Sequence, residues 1–170
     1  MTGSSISAHY YSDKRDMFVF VLALIGIFQF RYQGVSRGEH AVSVVGAVSA
    51  VCIGFFPTPP LSPTTEETVV GIVHFTAATL LFGVTAYHCF VMSRRARAKR
   101  GARLRAMAYA LLGSIILACI IAIAVSNLFH VTDARWRPVF WMEAIALFAF
   151  GCAWLLSDLQ RRVQFLSGPP

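Results

Sequence analysis

Ser93–Arg105, SRRARAKRGARLR, runs straight into Ala106–Phe129, AMAYALLGSIILACIIAIAVSNLF, and this junction decides the fold. Seven of the fifteen basic residues (Arg94, Arg95, Arg97, Lys99, Arg100, Arg103 and Arg105) lie in the first stretch, and no charged residue lies in the second. A helix rises about 1.5 Å per residue and bilayer hydrocarbon is about 30 Å thick, so roughly 20 apolar residues cross it. The second stretch is long enough. A cationic run abutting such a span marks the side that stays in the cytoplasm and has affinity for anionic headgroups.

Four further apolar stretches flank this one. They run over about 17–32, 41–56, where Pro57 stops the run, 69–92 and 139–156. The chain is 56% hydrophobic and 14% charged, with a mean hydropathy of +0.63. A soluble domain of this size cannot hide that much apolar surface. Only helices satisfy their own backbone in lipid when a strand has no closed barrel to join. The expected fold is therefore all-α, a polytopic transmembrane helical bundle of about five spans forming one domain over residues 1–170. Small residues at Gly46 and Ser49, at Gly71, Ala78 and Gly83, and at Gly113 and Ser114 predict close helix contacts.

Orientation follows from where the cations sit. The connectors Arg31–His40 and Ser93–Arg105, together with the tail from Ser157, hold eleven Lys and Arg residues. The alternate side holds only Lys14, Arg15, Arg135 and Arg137, with the acids Asp13, Asp16, Glu66, Glu67 and Asp133. The positive-inside rule gives an N-out, C-in protein of a bacterial inner membrane. An N-out first helix with no signal peptide predicts either a further helix ahead of residue 1 or an earlier start. The clustering of the +7 net charge in one juxtamembrane loop argues against nucleic acid. Cys52, Cys89, Cys119 and Cys152 all fall inside apolar runs without ligand spacing, so they are expected to pack as small apolar residues.

Ionisable groups inside a bilayer are costly and need a reason to be there. His74 and Glu143 each lie about one turn inside the outer end of a span, and Asp16 opens the first span from the same side. The segment from Ser4 to Tyr11, with His9, is placed to fold over them. Two readings follow. His9, Asp16, His74 and Glu143 are the candidate ligands for zinc, with Asp16, His74 and Glu143 the catalytic candidates of an intramembrane hydrolase. The plainer reading is a hydrogen-bonded clamp between helices, and it leads because no HExxH-type spacing is present. A separate pattern is the pair His74 and His88, about 21 Å apart along one helix face. With His130 and His40 at matching depths, that is the layout of axial ligands to two b-type haems.

Several short motifs occur in a suggestive order: Ser5-Ile6-Ser7-Ala8, Arg15-Asp16 with Phe18, Phe56-Pro57-Thr58, His74 before Thr76-Ala77-Ala78, and Trp141, Glu143 and Trp154. In this the chain resembles a family of bacterial six-helix membrane proteins akin to the DRAM-like group. The resemblance implies a helix ahead of the serine-rich segment and a membrane protein whose activity is undefined. Three function classes remain open: a non-enzymatic module binding a lipid, small solute or partner protein at an outward-facing polar site, a metal-dependent hydrolase, and a haem cytochrome. The first leads, with no cofactor expected. Its partners would be the bilayer, anionic headgroups along Arg94–Arg105, and a further membrane subunit or a second copy.

Overall fold

The computed structural model describes residues 5–32, 34–60, 62–129 and 137–166. Among them the chain is all-α. A 3-10 turn at Ser7–Tyr11 precedes α1 (Arg15–Arg31), α2 (Arg37–Phe55), α3 (Thr65–Arg97), α4 (Arg103–Leu128) and α5 (Pro138–Leu166). Four helices, α2 to α5, are long and apolar enough to cross a membrane. The first has 17 residues, about 26 Å of rise, and falls just short of that length.

The helices outrun the apolar stretches because their caps lie in the polar flanks. α2 starts at Arg37 rather than Ala41, since Ser36 Oγ accepts from Glu39 N at 3.2 Å. α3 starts at Thr65 with a reciprocal capping box. Thr64 Oγ1 accepts from Glu67 N at 3.3 Å, and Glu67 Oε2 accepts from Thr64 N at 2.7 Å. Each bond satisfies an amide that the first turn leaves without a helical partner. At its other end α3 carries Arg94, Arg95 and Arg97 in the last turn, where cations complement the negative end of the helix dipole. With 33 residues, α3 is about 50 Å long and projects past the hydrocarbon at one end or both.

Each helix packs on its sequence neighbours, and α3 also touches α5. Leu22, Ile25, Ala50, Ile53, Ala77, Leu81 and Phe150 form one core joining α1, α2, α3 and α5. Ala86, Cys89, Ile116, Ala149 and Ala153 form a second among α3, α4 and α5. Glycines set the closest approaches. A Cβ on Gly46 would meet Val84 at 3.0 Å and Gln29 at 3.2 Å, and one on Gly113 would meet Cys89 at 3.0 Å. Gly83 does not share this role, because nothing lies within 4 Å of where its Cβ would be. Gly71 does share it, but its partner is Pro59 of the proline-rich loop rather than a helix. The outward faces stay greasy, with Phe20 and Ile121 each 62% exposed and Phe148 76% exposed. Continuous apolar surface of this kind suits lipid and not water. All four cysteines are free; Cys89 and Cys119 are buried as expected, while Cys52 and Cys152 are half-buried.

Antiparallel neighbours gather alternate helix ends. At the arginine-rich end, Arg95 of α3 pairs with Glu39 of α2, and Ser93 Oγ donates to Ala106 O of α4 at 2.7 Å. At the proline-loop end, the 3-10 turn, the α2–α3 loop and the start of α5 come together.

Gly71 and Gly83 make a paired test of this packing. Gly71→Ala should lower thermal stability in detergent by about 1–3 kcal/mol, because its methyl has no room against Pro59. Gly83→Ala should be neutral or stabilising by up to about 1 kcal/mol, as expected for a helical glycine in open space. Intrinsic-fluorescence melts of the two variants check both signs.

Candidate functional site

Two polar constellations lie at opposite ends of the bundle. The first is at the proline-loop end. Glu143 of α5 accepts the Ile6 backbone N–H on Oε2 at 2.5 Å and the Ser7 hydroxyl on Oε1 at 2.9 Å. The turn that delivers those donors is held locally: Ser5 Oγ accepts from Ala8 N at 3.1 Å, and Tyr11 donates to Thr58 O of the proline loop at 2.8 Å. Burial, reinforced by the negative charge of Glu67 and by Tyr10, pushes the Tyr11 phenol up from its ordinary value, so it stays a donor. His9 Nδ1 lies 3.1 Å from Ile6 O.

His74 is 2% exposed and is turned to a different task. Its Nδ1–H donates to Phe56 O at 2.6 Å. Phe56 caps α2, so this bond satisfies one of the carbonyls that a helix C-terminus leaves open. Asp16 is exposed. The segment from Ser5 to Tyr11 therefore does fold over Glu143, while His9, Asp16, His74 and Glu143 do not assemble into one cluster. Among the described residues no group of three His, Cys, Asp or Glu side chains is close enough to hold a metal ion. The arrangement is that of the clamp. His130, paired with His74 in the haem layout, lies outside the described residues.

The second constellation is nearer the arginine-rich end, and of the sequence candidates only His88 belongs to it. A cavity of about 40 Å³ lies between α1, α3, α4 and α5, lined by Gln29, Tyr32, Thr85, His88, Tyr109 and Trp154, with Cys89, Met92, Ala153 and Ser157. It has room for a few waters or a small functional group. Its walls are mainly apolar, and its polar atoms are arranged in a definite way. Thr85 spends its hydroxyl proton on Leu81 O, one turn back, at 3.0 Å. It therefore accepts from Gln29 Nε2 at 3.1 Å, which fixes the amide and leaves Gln29 Oε1 facing away. Ser43 spends its proton the same way, on Glu39 O at 3.0 Å. It then accepts from His88 Nε2–H at 3.0 Å, leaving the His88 Nδ1 lone pair outward. The Tyr32 ring packs on His88 with centroids 4.4 Å apart and fixes the ring plane.

Gln29 is 1% exposed and His88 9% exposed, and neither Gln29 Oε1 nor His88 Nδ1 has a hydrogen-bond partner. A buried acceptor left unmade costs about 1–3 kcal/mol. Two such acceptors line one cavity, together with the Tyr109 hydroxyl, which is likewise buried without a partner. His40 Nδ1 is also unpaired, but His40 does not line the cavity. Gln29, Ser43, Thr85, Tyr109 and Ser157 escape a reading based on charge. The signal that finds them is neutral polar residues inside apolar runs, Gln29 above all in MFVFVLALIGIFQF.

No protein-family profile, curated protein or solved structure matches the chain.

The clamp is testable through Glu143. Glu143→Leu strands the Ile6 amide and the Ser7 hydroxyl and should lower stability by about 1–3 kcal/mol. It should also expose the segment around the 3-10 turn to protease. Glu143→Gln keeps an acceptor for the Ile6 amide and should cost less than the leucine change. Melting curves with limited proteolysis check the order, and an unchanged Glu143→Leu protein would refute the clamp.

Proposed function

We propose that this chain is a non-enzymatic, five-span membrane module that binds a small ligand in the cavity between α1, α3, α4 and α5. The observation that carries the reading is the pair of buried, unpartnered acceptors, Gln29 Oε1 and His88 Nδ1, in one cavity whose other walls are largely apolar. Binding pockets for small molecules have this character: mostly apolar, with a few convergent polar groups. The outward-facing polar groups, which the sequence favours as the site, are occupied by the chain's own donors and acceptors. They act as the lock on that end of the bundle. The pieces that resemble the DRAM-like six-helix proteins meet there as well: Ser5–Ala8, Phe56–Thr58, His74 and Glu143.

In this reading α1 spans together with the other four. Its shortfall against about 30 Å of hydrocarbon is met by Arg15 and Arg31 at its ends reaching toward the headgroups, or by local thinning. The arginine-rich end is cytoplasmic and the proline loop is outside, in a bacterial inner membrane. Arg94–Arg105 then lies against anionic headgroups of the inner leaflet.

Two outcomes check this. Cysteines placed singly at Ser62 and Gly101, in a background with the native four replaced, should react with an impermeant maleimide from opposite sides of the membrane, Ser62 outside and Gly101 inside. Native mass spectrometry after gentle extraction should show a non-covalent adduct that is absent from His88→Phe and Gln29→Leu. An adduct that persists in both variants would remove the cavity as the binding site.

A further inference from the structure

The cavity has an unusual wall. The backbones of α1 and α5 make no close approach to each other, although both helices line the cavity. Rings bridge the gap between them. Phe28 and Trp154 have centroids 5.6 Å apart, and Tyr32 and Trp154 have centroids 6.3 Å apart, edge on. Phe28 is 52% exposed on the outer surface. Side chains hop rotamers far more readily than helices move apart, so three aromatic rings make a door where two packed helices would make a wall.

The chemistry inside the door selects its ligand. Gln29 Oε1 and His88 Nδ1 can only accept, so the ligand must supply donors, while the Tyr109 hydroxyl, also buried in the lining without a partner, can donate or accept. Among the described residues, the side chains that line the cavity include no carboxylate and no arginine, and a full charge in so apolar a place needs a counter-ion. The head is therefore neutral. At about 40 Å³ the cavity is well below the roughly 150 Å³ of an engineered protein cavity that takes up benzene. The buried part is smaller than an aromatic ring, and the rest of the ligand must extend through the gap.

Resting on the cavity as the binding site, we propose that the module captures the neutral hydroxyl head of a membrane amphiphile, entering sideways from the lipid between α1 and α5. The hydroxyl protons are donated to Gln29 Oε1 and His88 Nδ1, the Phe28, Tyr32 and Trp154 rings turn aside, and the alkyl chain stays in the bilayer. The same head chemistry is available from a water-borne polyol, and the test separates the two.

The full-length protein in detergent micelles is photolabelled with a diazirine-bearing hexadecan-1-ol, and labelled peptides are mapped. Label should concentrate near Phe28 on α1 and Trp154 on α5. Excess hexadecan-1-ol should abolish it, while hexadecyl methyl ether, which has no donor, and glycerol, which has no chain, should not. His88→Phe should cut the site label about tenfold, the loss expected for one buried hydrogen bond. Gln29→Leu should do the same if the histidine variant is unstable, and the competitor arms need no substitution at all. Competition by the methyl ether equal to that of the alcohol overturns the role of the acceptors. Competition by glycerol equal to that of the alcohol overturns entry from lipid and leaves the cavity reading standing. Label spread along the lipid-facing residues, competed by nothing, overturns both.

Discussion

Hydrocarbon offers no hydrogen-bonding partner, and that single fact organises both ends of this bundle. A polar side chain placed between apolar helices must find its complement in the protein, because leaving it bare costs kilocalories that a marginally stable fold does not have in surplus. The chain answers in three ways. Ser43 and Thr85 return their protons to the preceding turn of their own helix and so become acceptors toward a neighbour. His74 and Glu143 tie a loop and the N-terminal turn to the ends of spans. Glu39 and Arg95 neutralise each other where α2 begins and α3 ends. Against that thrift, two acceptors left open in the same cavity are conspicuous.

The scaffold was largely legible because lipid simplifies the code. Length and apolarity alone marked α2 to α5, and the arginine run between α3 and α4 marked a bundle end. Helix boundaries were less legible, since an apolar run records where lipid begins and not where a helix does. Ser36-x-x-Glu39 and Thr64-x-x-Glu67 carry the information that the apolar count ignores. The placement of Gly71 against Pro59 needed the loop path, which four prolines in seven residues describe as stiff but do not aim.

The polar sites were legible in proportion to their charge. Glu143 and His74 stand out in apolar surroundings, and the segment that covers Glu143 is the serine-rich one the sequence places there. A common depth is not a common cluster, however. Helices that bring residues to one level still point them in different directions, so His74 turns to the α2 cap while Asp16 faces outward. The cavity was hidden for the opposite reason. It is built from Gln29, Tyr32, Thr85, His88 and Tyr109 on three helices, and its decisive feature is which atoms remain unbonded after neighbours have taken their share. That depends on Ser43 and Thr85 bonding backward along their own helices, a choice no spacing rule records.

The two ends also differ mechanically, and the difference bears on how a ligand could enter. At the proline-loop end, short loops, the 3-10 turn and the Glu143 bonds tie the N-terminus to α5, so α1 and α5 are coupled there through the chain itself. Toward the arginine-rich end, beyond the Leu22, Ile25 and Phe150 core, the rings of Phe28 and Tyr32 join α1 to Trp154 of α5. α2 and α3 are pinned by the Glu39–Arg95 pair and α3 and α4 by Ser93 on the Ala106 carbonyl, which leaves α1 and α5 as the seam of least resistance. A bundle latched at one end and zipped by rings at the other opens at the rings. In the proposed capture at Gln29 and His88, a motion that parts the rings would pivot about the end held by the Glu143 bonds.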